Sequence, residues 1–156
     1  MRVLLVNSNL RDDVLAAPPI GLCYVATAAD RAGHEVRVLD LCFQKRVREV
    51  LEDALREISP QVVGLSLRNI DNCNLLYPVS YLPEALELVR FVRARTAAPV
   101  VVGGAGASLM PGEVLTATGA DYIVVSHGER SFGRLLTYLE KGEDPEDVPG
   151  VGLMRD

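Results

Sequence analysis

Four clusters of small, polar and ionisable residues each close an apolar run of this sequence. Asn7-Ser8 follows RVLLV, Ser66-Leu67-Arg68-Asn69 follows QVVGL, Gly103-Gly104-Ala105-Gly106 follows APVVV, and Ser126-His127-Gly128-Glu129 follows DYIVV. The hydroxyls of Ser66 and Ser126 can donate to a heteroaromatic nitrogen or a phosphate, or simply close a strand or cap a helix. The glycines can permit a tight turn, or let backbone approach a flat or bulky ligand that side chains would hold off. On the ligand reading, a valine at Gly104 is expected to impair binding far more than folding. His127 is the histidine placed for ligand contact, but it has no Ser or Cys nucleophile partner and there is no GxSxG elbow, so no catalytic residue is assigned. His34, between Gly33 and Glu35, reads as a solvated loop histidine, and Asp12-Asp13 as a solvated pair.

Other chemistries lack their residues. A dinucleotide fingerprint would place GxGxxG after the first strand, and a Walker loop would need Gly-Lys-Ser/Thr; neither is present. Cys23, Cys42 and Cys73 are widely spaced and fit reduced thiols acting as small buried hydrophobes. With no CxxC, HxxxH or CxxxCxxC, no protein-held metal site is assigned.

The clusters imply the elements that carry them. Apolar strands at about 2–7, 35–39, 62–67, 99–102 and 122–125 alternate with helical patterns at 20–31, 45–58, 83–95, 111–118 and 130–140. Pro18-Pro19 precedes the first helix, Gly33 stops it, and Ser59-Pro60 ends the second. Residues 68–83 lack periodicity, which marks a long loop of functional type. Such alternation predicts an α/β fold, a doubly wound parallel sheet of five strands in order 2-1-3-4-5 with helices on both faces. Ligands of these sheets lie beyond the carboxyl ends of the strands, where all four clusters fall.

Length and composition agree. At 156 residues, 49% hydrophobic and 5% aromatic, the chain suits one domain with an aliphatic core. A net charge of −5 argues against nucleic-acid binding. No apolar run approaches the ~20 residues of a membrane helix and no cleavable signal precedes the first strand, so no membrane partner and a cytoplasmic setting are expected.

The segment PPIGLCYVATAADRAGHEVRVLDL resembles the first-helix and second-strand signature of the cobalamin-binding domains at the front of radical-SAM enzymes. The resemblance continues through VVGLSL, APVVVGGAGASLMPGEVL, GADYIVVSHGERSFGRLL and VPGVGLMRD, and spans nearly the whole chain. It implies a flavodoxin-like (Rossmann-like) fold, with cobalamin across the carboxyl edge of the sheet and its dimethylbenzimidazole tail inserted into the protein. By resemblance Ser66, residues 103–106 and Ser126, His127, Gly128 and Glu129 line tail and corrin. Asn7, Ser8, Leu67, Arg68 and Asn69 join them at the same edge.

Two departures matter. Cobalamin mutases carry DxHxxG after strand one, whose histidine ligates cobalt; residues 8–17 here contain no histidine. The CxxxCxxC of the family's iron–sulfur cluster is absent as well. The resemblance therefore implies a cobalamin-binding module at 1–142, with an exit strand or linker at 143–156 towards a radical-SAM domain. S-adenosylmethionine and a 4Fe-4S cluster would belong to the full-length protein, most often a methyltransferase. The other readings are a flavodoxin-like domain for a nucleotide or flavin, and a non-catalytic docking domain.

Overall fold

The computed structural model of the chain describes residues 1–10 and 17–154, so Asp12-Asp13 lies outside the described residues. Its elements run β1 (Arg2–Asn7), α1 (Ile20–Arg31), β2 (Glu35–Asp40), α2 (Val47–Ile58), β3 (Val62–Ser66), α3 (Leu82–Arg93), β4 (Val100–Gly103), α4 (Ala105–Leu109), α5 (Pro111–Thr118), β5 (Tyr122–Val124), α6 (Gly128–Lys141) and β6 (Val151–Leu153). The sheet order is β2-β1-β3-β4-β5-β6. The first five strands are parallel, in the expected order. The sheet gains a sixth strand: β6 returns antiparallel along β5, pairing Val151 with Val124 and Leu153 with Tyr122.

The period-2 pattern of the strands divides the core in two. Val3 and Leu5 of β1, Val62 of β3 and Val101 of β4 pack with Leu22 and Ala29 of α1 and Phe132, Leu135 and Leu136 of α6. The intervening Leu4, Val6, Val63, Leu65, Val100 and Val102 face the other way, against Leu51 and Leu55 of α2, Leu88 of α3 and Leu115 of α5. α2 ends where Ser59 takes a left-handed φ of 45° before Pro60.

Three sequence readings need correction. The glycine segment is not simply a loop. Gly103 ends β4, Gly104 turns the chain at φ +99°, and the short helix α4 begins at once with Ala105 and Gly106. His34 is buried, not solvated, with its Nδ1 3.1 Å from the Met1 amino nitrogen. Burial, and secondly the Met1 ammonium, hold its imidazole below the ordinary value of 6.5, against an opposing pull from Glu140. Nor are the cysteines core residues: Cys23 and Cys73 are exposed and Cys42 partly so. Cys23 falls on the outer side of α1, whose buried residues are Leu22 and Ala29.

The long connection after β3 braces itself. Asp71 and Ser80 form an antiparallel bridge. Asn72 Oδ1 accepts from the Asn74 and Val79 amides, and Asn74 Oδ1 from the Leu76 and Tyr77 amides. Side-chain acceptors replace the missing backbone ladder. Among the described residues no helix is long and apolar enough to cross a membrane.

Candidate functional site

Parallel pairing brings the strand ends into line. Asn7 pairs with Ser66, Ser66 with Gly103, and Gly103 with Val124, forming one row across four strands. One step inward the row is Leu5, Gly64, Val101 and Tyr122. Both rows face α1 and α6, because they share the parity of Val3 and Val62. Along β3 the series on this face is Val62, Gly64, Ser66: bulk is removed as the strand nears its carboxyl end.

The result is a cleft of about 640 Å³ that opens at the carboxyl edge and runs down between sheet and helices. Its floor is the Leu5–Gly64–Val101 row, and Leu22 and Val25 of α1 and Phe132 of α6 face it. Gly64 makes room for the Leu5 side chain to lie across the floor. A Cβ there would lie 2.6 Å from Leu5 Cδ2, pushing that side chain away. At the far side Gly128 lets α6 start close to α1, since a Cβ would meet Val25 Cγ2 at 2.9 Å.

Polar groups gather at the rim, and most are already committed. Asn7 is buried and donates from Nδ2 to Asp40 Oδ1 at 2.8 Å. Ser8 turns away from the cleft: its amide and hydroxyl both donate to the Ser66 carbonyl, at 3.3 and 2.8 Å, tying the exits of β1 and β3. The Ser66 hydroxyl lines the cleft and has no hydrogen-bond partner among the described residues. Ser126, at a left-handed φ of 65°, shares a hydrogen bond between its hydroxyl and His127 Nδ1 at 3.1 Å. His127 caps α6 from the extended region, with Gly128 and Glu129 opening the helix behind it.

Asn7, Ser66, Arg68, Gly103, Gly104, Ala105, Ser126, His127, Gly128 and Glu129 line the cleft, whereas Ser8, Leu67, Asn69 and Gly106 do not. Leu67 is buried in the opposite core, its amide donating to the Gly103 carbonyl and its carbonyl accepting from the Gly106 amide. Asn69 backbone fills the space beside Gly106, where a Cβ would come within 2.9 Å. Gly104 has the same character. A Cβ on it would lie 2.6 Å from the Leu67 carbonyl oxygen. The open space expected beside these glycines is thus taken by the chain itself, and Gly104→Val would disturb local folding first.

Sequence reasoning missed Ser108 and the apolar depth of the cleft. Ser108 Oγ donates to the Gly104 carbonyl at 2.9 Å and accepts from the Ser126 amide at 2.8 Å, joining the exits of β4 and β5. That role shows only once α4 is recognised, because the helix places residue 108 one turn after Gly104. Gly64 lay inside the recognised strand VVGLS, and its interior glycine was the available signal.

The arrangement can hold a flat, mostly apolar heteroaromatic group in its depth, offer it one hydroxyl at Ser66, and leave a larger polar body on the rim. Among the described residues no group of three His, Cys, Asp or Glu is arranged to hold a metal ion. The cleft itself suits the base of a corrinoid.

The B12 binding domain matches residues 12–136. This chain belongs to that family. The domain is 33% identical over 153 residues to tryptophan 2-C-methyltransferase of Streptomyces laurentii, covering 97% of this chain and 25% of that protein. It is 30% identical over 143 residues to hopanoid C-3 methylase of Methylococcus capsulatus, covering 88% and 25%. Among solved structures it superimposes with a TM-score of 0.92, at 34% identity, on the radical S-adenosylmethionine methyltransferase TsrM of Kitasatospora setae with cobalamin and a [4Fe-4S] cluster bound. That match covers 99% of this chain and 27% of TsrM. The chain thus spans about a quarter of the length of the curated relatives it matches. It is a B12-binding domain homologous to the cobalamin-binding modules of radical-SAM methyltransferases.

Proposed function

We propose that the domain holds cobalamin with the nucleotide base in the cleft and the corrin across the carboxyl edge, and that it serves a radical-SAM domain that transfers a methyl group. The observation that carries this reading is the apolar depth of the cleft beneath the Ser66 hydroxyl, which has no hydrogen-bond partner among the described residues. A planar base fits that depth, and a neutral hydroxyl can donate to its ring nitrogen. The corrin is wider than the cleft and has an amide rim, so it suits the polar edge formed by Ser126, His127 and the β4 exit.

Cobalamin would supply cobalt-centred methyl-transfer chemistry. The protein's part is placement. It buries the base away from the metal, brings no histidine from residues 8–17 to the cobalt, and leaves the corrin's other face to the catalytic domain. S-adenosylmethionine and the 4Fe-4S cluster belong to that domain, reached from the cofactor-binding body of residues 1–142 through residues 143–156, of which Val151–Leu153 still pair with the sheet as β6. Three free thiols suit a reducing cytoplasm.

Titration of the chain with hydroxocobalamin, followed by the visible corrin bands and by gel filtration, tests this. Co-elution of one corrin per chain is expected. Failure to retain it, with the fold intact by circular dichroism, would sink the reading.

A further inference from the structure

We propose that the cleft selects among corrinoids by the base they carry, accepting a benzimidazole and disfavouring a purine. The inference rests on the cofactor reading above and asks more of the same cleft. Below the Asn7–Ser66–Gly103 row, the side chains that enclose it among the described residues are all hydrocarbon: Leu5, Leu22, Val25, Val101 and Phe132, with Gly64 adding none. The strand carbonyls and amides beneath them are engaged in the parallel ladder. Among the described residues Ser66 carries the one unpartnered hydroxyl that lines the cleft, those of Ser108 and Ser126 being hydrogen-bonded, and Asn7 donates from Nδ2 to Asp40.

The two bases differ in what they ask of such a pocket. A dimethylbenzimidazole has a single ring nitrogen free to accept and two methyl groups at its far end. One hydroxyl satisfies the nitrogen, and the methyls meet Leu5, Val101 and Phe132. An adenine brings further ring nitrogens and an exocyclic amine with two N–H donors. Burying those against hydrocarbon leaves them unsatisfied, which costs far more than one hydrogen bond gains. Ser66 cannot serve both ends of a purine at once.

The test compares equilibrium affinities of the unmodified chain for cobalamin, its adeninyl analogue and base-free cobinamide, read from the absorbance change on titration. Cobalamin is expected to bind roughly tenfold or more tightly than the adeninyl form, with cobinamide weaker than cobalamin. A smaller ratio between the two complete corrinoids overturns the inference and leaves the cofactor reading standing. Cobinamide binding as tightly as cobalamin overturns it too, because the base would then lie outside the cleft. If none of the three binds, the cofactor reading itself has failed. Val101→Thr supplies a second arm: it keeps the side-chain volume and adds a hydroxyl to the floor. In protein shown to be folded by circular dichroism it should narrow the ratio between benzimidazolyl and adeninyl forms. An unchanged ratio counts against the floor as the discriminating element.

Discussion

Gly104 and Leu67 are packed so that a single methyl group on the first would strike the carbonyl oxygen of the second at 2.6 Å. The contact joins the exits of β3 and β4, and Ser66 Oγ stands 3.1 Å from the same Cβ position. Gly104 also sits at φ +99°, where a side chain is strained regardless of space. Gly104→Ala should therefore lower stability, with about 1–3 kcal/mol from backbone conformation alone and the clash in addition. Gly112 has nothing within 4 Å of its Cβ position and no positive φ, so Gly112→Ala inside α5 should be neutral or stabilise by up to ~1 kcal/mol. Urea denaturation of the two variants checks the contrast. Equal midpoints would show that the Leu67 contact does not constrain residue 104.

His34 yields a prediction about pH. Burial and the Met1 ammonium hold its imidazole below 6.5, so at acid pH the unfolded chain binds more protons than the folded one. Its stabilising effect is fully present above 6.5 and drains away as pH falls below that value through the folded-state pKa. His34→Gln should flatten the stability profile on the acid side relative to the parent. His34→Ala should cost about 1–3 kcal/mol at neutral pH, because it empties a buried position and removes one of the two partners of the Met1 amine, leaving Glu140. Thermal melts between pH 5 and pH 8 measure both effects. A parent and a Gln variant that lose stability in parallel would discount the histidine.

Ser108 links two residues in left-handed backbone conformations, Gly104 and Ser126, through one hydroxyl. Ser108→Ala removes both bonds and should destabilise by roughly 1–2 kcal/mol. More telling, it frees the Ser126-His127 corner of the cleft, so corrin dissociation should quicken more than global stability falls. Ser108→Thr keeps the hydroxyl and should recover the slower rate. Stopped-flow displacement of bound cobalamin follows this. Equal off-rates for Ala, Thr and parent would mean that the corner needs no tie.

Most of the sheet was legible because its strands are short apolar runs with clear ends. β1, α1 and the order of the first five strands follow from that pattern alone. β6 was harder, since VGL is three half-buried residues whose place depends on an edge the fold must first create. The same limit hid α4: in AGASL, Gly106 lowers helix propensity, and its close approach to Asn69 backbone appears only in the folded chain. His34 misled because its neighbours Gly33 and Glu35 are exposed, while its own side chain is buried and meets the Met1 amine, distant in sequence. For the site, the polar rim was readable as strand-end residues. Its floor was not, because Leu5, Gly64 and Val101 become neighbours only through parallel register.

The last prediction concerns the metal that the cofactor would bring. With its base in the cleft, bound cobalamin has no benzimidazole on cobalt, and residues 8–17 contain no histidine to replace it. His127 is the sole histidine on the rim, because His34 is buried beside Met1. Its Nδ1 is hydrogen-bonded to Ser126 and its backbone is fixed as the cap of α6, which ties the ring to the corner of the cleft. The cobalt(II) form should therefore give an electron paramagnetic resonance spectrum without nitrogen superhyperfine splitting. His127→Ala should leave that spectrum unchanged while weakening binding only slightly. Triplet splitting that disappears in His127→Ala would instead make His127 an axial ligand. Splitting that survives the substitution would mean the base remains on the metal, and the cleft would then need another occupant.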